Sequence, residues 1–210
     1  EDQAFAVRCP AHPNPPYLCT SGLVLPKHLT SNMVVPAAAP TFTGWASAAG
    51  LTVTAAASTG EVANATSMGD RSFTLVLPPR NASLKPFGVV LSETGGKSAS
   101  VSLINLLAGD VWLCSGQSNM EFSVAEMNGA AEVIAAAGTQ RGLRLFAVQK
   151  NQSVQPLDDI IEAQYRPGWV EASSSTLCGA EYGDASEYCV PHCGPSASVA
   201  TFKRPTWGCN

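Results

Sequence analysis

A small antiparallel β-sandwich followed by the opening βαβ unit of an α/β domain is the fold class that this sequence predicts, on three observations. Between Met33 and Leu107 short strand-like runs alternate with clusters of Gly, Pro, Asn and Ser. Val111–Cys114 is then continuously apolar, as a strand buried on both faces of a mainly parallel sheet would be. After it, apolar residues recur at helical spacing.

Residues 1–30 are rich in proline and carry Cys9 and Cys19; they read as an irregular arm that a Cys9–Cys19 bridge could pin. Residues 31–107 form the expected β-domain, with the runs "TFTGWAS", "GLTVTAAAS", "SFTLVLPP", "FGVVLSE" and "SVSLINLL" as its strands. Alternation places every second side chain on one face, and Val53, Phe73, Leu75, Leu77 and Val90 are the expected inward set. Residues 108–177 begin the α/β domain. There Met120, Val124, Met127, Ala131 and Ile134 make a helical stripe with Glu121, Glu126 and Glu132 mostly off it, and Gly138 is the expected stop. The run "LRLFAVQ" from Leu143 to Gln149 supplies the next strand. Trp45 and Trp169 are expected as core anchors of the two domains. Residues 178–210, rich in Cys, Pro and Ser, read as an atypical and disordered tail.

Composition narrows the function classes. At 210 residues with 45% apolar content the chain is large enough for a real core. Charged residues are only 13%, and the net charge of -4 offers no basic face for phosphates, so nucleic acid is not an expected partner. No run approaches the roughly 18 uninterrupted apolar residues of a membrane span, and no membrane association is expected. The chain opens on Glu1 without a Met or a hydrophobic leader, which reads as a processed or partial chain.

Seven cysteines, at 9, 19, 114, 178, 189, 193 and 209, suggest an oxidising compartment, and their odd number leaves one unpaired. Three Asn-x-Ser/Thr triplets, at Asn64, Asn81 and Asn151, agree with a secretory route. The expected location is secreted or lysosomal.

The segment "GDVWLCSGQSNMEF", Gly109 to Phe122, sets a serine between the apolar run and the helix. A nucleophile at a helix N-terminus has free backbone N–H groups and the helix dipole to stabilise developing negative charge. Gly116 lets the backbone turn sharply and leaves space for an acyl group, the logic of a nucleophile elbow. Serine also serves often as an N-cap, and the local pattern alone leaves that role for Ser118 open.

The same string closely resembles the nucleophile block of the sialate O-acetylesterase family of SGNH hydrolases. The resemblance extends to "LTSNMVVP", "GWASAAGLTVT", "LRLFAVQ" and "GWVEASSSTL", and covers roughly residues 24–177. It implies a β-domain preceding an SGNH flavodoxin-like three-layer domain, incomplete here, with Ser118 attacking an acetyl ester. Gly116, Gln117 and Asn119 would then shape the turn and its oxyanion contacts. The implied partner is an O-acetylated sialic acid or related sugar, and no cofactor is implied.

A serine hydroxyl needs a base to take its proton and an acid to orient that base. In the family these lie in a downstream Asp-x-x-His motif. The histidines here are His12, His28 and His192, preceded three residues earlier by Cys9, Leu25 and Cys189, so the motif is absent. From Cys178 onward the resemblance also stops, as a truncated or frame-shifted coding sequence would produce. The expectation is therefore an inactive form of the hydrolase. The alternative is a non-catalytic carbohydrate-binding or interaction protein that keeps the β-domain.

Two other clusters hold candidate ligands or carboxylates. Cys178, Cys189, His192, Cys193 and Cys209 offer zinc-type ligands, but the 193-to-209 spacing is unusual and a secretory context favours disulfides, so no metal is expected. The acidic run Asp158, Asp159, Glu162 reads as a solvated face.

Overall fold

A computed structural model of the chain describes residues 22–95, 99–116, 124, 127–148, 154–157, 159–160 and 168–177. These divide into two compact units. One runs to Leu113 and includes Arg144–Glu171; the other comprises Cys114–Leu143 and the residues from Ala172.

The first unit is built from strands. β1 (Val34–Pro36), β2 (Thr41–Trp45), β3 (Thr52–Ala57), β4 (Val62–Thr66), β5 (Ser72–Val76), β6 (Ser83–Thr94) and β7 (Ser100–Gly109) make it up; β2, β3, β5, β6 and β7 fall on the five runs read from the sequence, β1 lies within "LTSNMVVP", and β4 is a strand those runs did not include. Five of them form one sheet in the order β1-β7-β6-β3-β4, while β2 and β5 pair with each other. The sheet is mixed, not wholly antiparallel: β1 lies parallel to β7, with Val34 opposite Leu107 and Pro36 opposite Gly109. The reason is connectivity. Antiparallel neighbours such as β3 and β4 are joined by short turns, whereas β1 reaches β7 only after the whole intervening domain and docks on its free side.

Alternation decides the core. Phe42 of β2, Phe73 and Leu75 of β5, Val53 and Ala55 of β3, Val89 and Leu91 of β6, and Leu103 and Leu106 of β7 belong to one buried cluster, to which β1 adds Val35. Of the expected inward set Val53, Phe73, Leu75 and Leu77 are buried, but Val90 is 44% exposed and its neighbours Val89 and Leu91 point inward instead. Their row ends on Glu93, which is buried at 3% exposure and accepts a hydrogen bond from the backbone N–H of Ser47 at 2.8 Å. The ladder between β6 and β7 slips on both sides of Phe87, next to Pro86, which has no N–H to donate.

The arm contributes too. Leu23 is buried in the core, and Val24 and Trp45 exchange backbone hydrogen bonds at 2.9 Å. Gly44 is required by this approach, since a Cβ there would collide with the Val24 carbonyl and the Phe73 ring. β8 (Arg144–Leu145) and β9 (Val170–Glu171) form an antiparallel pair in the same unit. Trp169 packs against the β core and stacks obliquely on Phe146, with ring centroids 5.5 Å apart.

The second unit holds α1 (Ala130–Ala136), a 3-10 turn at Ala137–Thr139, and the single turn α2 (Ser174–Leu177). The expected helix from Met120 to Gly138 is therefore shortened among the described residues. Gly129 stands at φ 78°, a left-handed conformation that breaks the run, and Met127 and Ala131 are exposed. Ile134 and Ala137 are the buried pair, and the Ser174 hydroxyl donates to the Ile134 carbonyl at 3.0 Å. No helix among the described residues is long and apolar enough to cross a membrane.

Candidate active site

The approach to the expected nucleophile departs from the sequence reading. Val111–Gly116 belongs to no strand, and Trp112 and Leu113 are 84% and 93% exposed. A strand buried on both faces needs a partner on each side and covering helices. Among the described residues no strand pairs with this run, and "LRLFAVQ", the expected parallel neighbour, gives Arg144–Leu145 to an antiparallel pair with Val170–Glu171. The βαβ unit is thus not formed by the described residues. Gly116 itself is exposed and lies in neither helix nor strand. Gln117, Ser118 and Asn119 lie outside the described residues.

Of the three histidines, His28 is described, while His12 and His192 lie outside the described residues. His28 sits in the first unit in a loop that Asp159 and Trp169 hold in place. The Asp159 carboxylate accepts the Lys27 backbone N–H at 3.1 and 3.2 Å and that of Ile160 at 2.8 Å. Lys27 Nζ donates to the Ile160 carbonyl at 2.9 Å, and the Trp169 indole N–H donates to the His28 carbonyl at 2.8 Å. Although His28 keeps part of its surface in solvent, the protein around its ring disfavours the charged form and lowers its pKa from 6.5, against the opposing pull of Asp159. Asp159 is therefore a loop clamp and not part of a solvated face; Asp158 and Glu162 lie outside the described residues.

The sequence reading missed Arg144. Its side chain is 2% exposed, and its guanidinium donates to two backbone carbonyls, that of Asn32 at 2.7 Å and that of Asn105. It also donates to Asn105 Oδ1 at 3.1 Å and to Glu171 Oε1 at 3.4 Å. Both asparagines hold left-handed backbones, at φ 67° and 57°, and Asn105 Nδ2 donates to Asn32 Oδ1 at 2.8 Å. Burial lowers the Arg144 pKa, and Glu171 partly restores it. The signal was a lone charge inside an apolar run.

Asn64 lies exposed on β4 and Asn81 lies exposed ahead of β6, while Asn151 lies outside the described residues. Cys114 is exposed with a free thiol. The cysteines at 9, 19, 178, 189, 193 and 209 lie outside the described residues, and among those described no cluster of metal-ligand residues occurs.

Three curated relatives bear on the chemistry. A sialate O-acetylesterase of Mus musculus is 31% identical over 105 residues, which are 50% of this chain and 19% of that protein. This chain is similar to sialate O-acetylesterases. The Homo sapiens enzyme of that name is 31% identical over 93 residues, 44% of this chain and 17% of its own length, and that of Rattus norvegicus is 33% identical over 76 residues. The chain thus spans less than a fifth of the relatives it matches. No protein-family model matches it.

Proposed function

We propose that this chain carries the β-domain and nucleophile segment of a sialate O-acetylesterase-type serine hydrolase. The β-domain would be the sandwich at residues 31–107, and residues 108–177 the start of an SGNH hydrolase domain. The observation that carries the reading is the partial likeness to enzymes named sialate O-acetylesterase, together with the Gly109–Phe122 string. In this reading Ser118 attacks the acetyl carbonyl of an O-acetylated sugar. Its own N–H, in a turn shaped by Gly116, Gln117 and Asn119, would help to hold the oxyanion. The sugar leaves as an alcohol, and water then hydrolyses the acetyl-serine.

The chain alone is expected to be nearly inactive. With no Asp-x-x-His motif, Ser118 has no oriented base, and loss of that member of a triad costs on the order of 10³-fold or more. The second reading is a carbohydrate-binding protein without catalysis that keeps the β-domain. Hydrolysis of 4-nitrophenyl acetate and of an O-acetylated sialic acid by the purified chain, beside Ser118→Ala and His192→Ala, tests both. Equal rates in all three support an incomplete hydrolase. Turnover lost in both variants would show that His192 serves as the base and overturn the inactivity. Binding of the sugar without turnover, unaltered by Ser118→Ala, would favour the second reading.

A further inference from the structure

Strand β4 is the last strand of the five-stranded sheet, and among the described residues it pairs with β3 alone. Its other side offers a row of backbone N–H and C=O groups to any passing strand, a hazard that proteins cover, charge or bend away. β4 carries no charged residue in "VANAT". Ala63 and Ala65 pack toward the core, so Val62, Asn64 and Thr66 form the outward face.

One row across that face is apolar. Register sets Val62 opposite Ala56 and Ala56 opposite Val90, so the three stand in one row across β4, β3 and β6. Val62 is 54% exposed, Val90 is 44% exposed, and Ala56 is exposed between them. Asn64 is two residues from Val62 on the same face, and its Oδ1 accepts the Thr54 hydroxyl at 2.7 Å. With Ala65 and Thr66 it completes an Asn-x-Thr triplet on the exposed edge of the sheet. Asn81 is exposed as well, but it lies outside the ladders, next to Arg80, whose guanidinium pairs with Glu61 just ahead of β4 at 2.7 Å.

We propose that Asn64 carries an N-linked glycan that covers the Val62–Ala56–Val90 row and blocks edge-to-edge pairing through β4. The proposal rests on passage through a secretory compartment and is independent of the esterase reading. In the step required, Asn64 Nδ2 bonds to the anomeric carbon of a lipid-pyrophosphate-linked oligosaccharide. The bond from that carbon to the pyrophosphate oxygen breaks, the lipid pyrophosphate leaves, and one Nδ2 proton passes to a base of the transferase. Transfer precedes folding, because β4 must still be extended and unpaired to enter the transferase.

The test is to secrete the full chain from a eukaryotic host behind an added leader and release the glycans with peptide-N-glycosidase in ¹⁸O-water. Peptide mapping should find ¹⁸O-labelled Asp at position 64; unmodified Asn64 overturns the proposal. Asn64→Gln and Thr66→Ala should each move the secreted chain from the monomer to the dimer or larger elution position as concentration rises, whereas Asn81→Gln should not. Should the two substitutions prevent secretion, an endoglycosidase that leaves one N-acetylglucosamine is applied to the folded wild-type chain and the same shift is read. Elution unchanged by loss of the Asn64 glycan, or shifted equally by loss of the Asn81 glycan, overturns the capping role.

Discussion

Replacing Arg144 by Met keeps most of the side-chain volume and removes every donor from a buried knot. Two backbone carbonyls, of Asn32 and Asn105, then lose their charged partner, as does Asn105 Oδ1. Hydrogen bonds from a charged donor contribute about 1.5–3 kcal/mol each. Against that stands Arg144 Nε, which is buried with no partner, an existing cost of about 1–3 kcal/mol that Met relieves. The bond to Glu171 adds little, because that carboxylate is 70% exposed. The net expectation is a loss of about 3 kcal/mol, at the lower end of what breaking a buried charged network costs. For a chain of this size each kcal/mol shifts the melting temperature by about 2–4 °C, so Arg144→Met should lower it by about 6–12 °C. Thermal and urea unfolding of the full chain, followed by circular dichroism and by tryptophan fluorescence, reads the change. A double-mutant cycle with Asn105→Gly separates the carboxamide contact from the carbonyl contact while keeping the left-handed backbone available. A loss below about 0.5 kcal/mol, typical of surface substitutions, would refute the claim that this guanidinium holds the Asn32 and Asn105 turns together.

Other substitutions test the fold from different sides. His28 holds a lowered pKa, so below pH 6.5 the unfolded chain binds its proton more readily than the folded one. Stability should therefore be full above that pH and decline as pH falls below it, with the decline shallower in His28→Gln, measured by urea midpoints from pH 7.5 to 5. Gly44→Ala should destabilise by about 1–3 kcal/mol or more through overpacking, since its Cβ would meet the Val24 carbonyl and Phe73, while Gly69→Ala, with open space around it, should not. Phe42→Ala removes a fully buried ring shared by the core and should cost about 3–5 kcal/mol in the same unfolding assay.

Where hydrophobic alternation alone sets a strand's inward face, the pattern of the chain was enough to find it. "TFTGWAS" and "SFTLVLPP" alternate cleanly, and their Phe42, Phe73 and Leu75 are buried as the phase requires. The phase of "FGVVLSE" was harder to read, because the inward row Phe87, Val89, Leu91 ends on Glu93 and a charged terminus argues for the opposite face. The Ser47 N–H that receives this carboxylate lies 46 residues away and leaves no local mark. The parallel docking of β1 on β7 is hidden for the same reason. Arg144 looked like an interruption of an apolar strand, yet its partners at Asn32 and Asn105 are 112 and 39 residues distant. The proposal of Ser118 as a nucleophile rests on family likeness, since a serine after an apolar run is also an ordinary helix cap.

The segment from Val111 to Cys114 shows how such a pattern can be sound and its local structure still differ. Four consecutive apolar residues are unsuited to an exposed connection; their composition fits a strand that gains its stability from both faces. Burying one large apolar side chain is worth about 1.5–3 kcal/mol, so Trp112 and Leu113 together forgo several kcal/mol by standing in solvent. The strands β2 to β7 avoid that loss because each finds its ladder within the first unit. The run at 111–114 does not, since the next apolar run closes on Val170–Glu171 and satisfies its own ladder there. A serine raised on a strand tip acts as a nucleophile only when that strand is held rigidly against its neighbours. For the proposed role of Ser118 this matters directly, because the run that would aim it has no ladder partner among the described residues. In the hydrolase reading that aim requires a neighbouring strand on each side of residues 111–114, so a variant that leaves this run exposed would leave Ser118 without a fixed position.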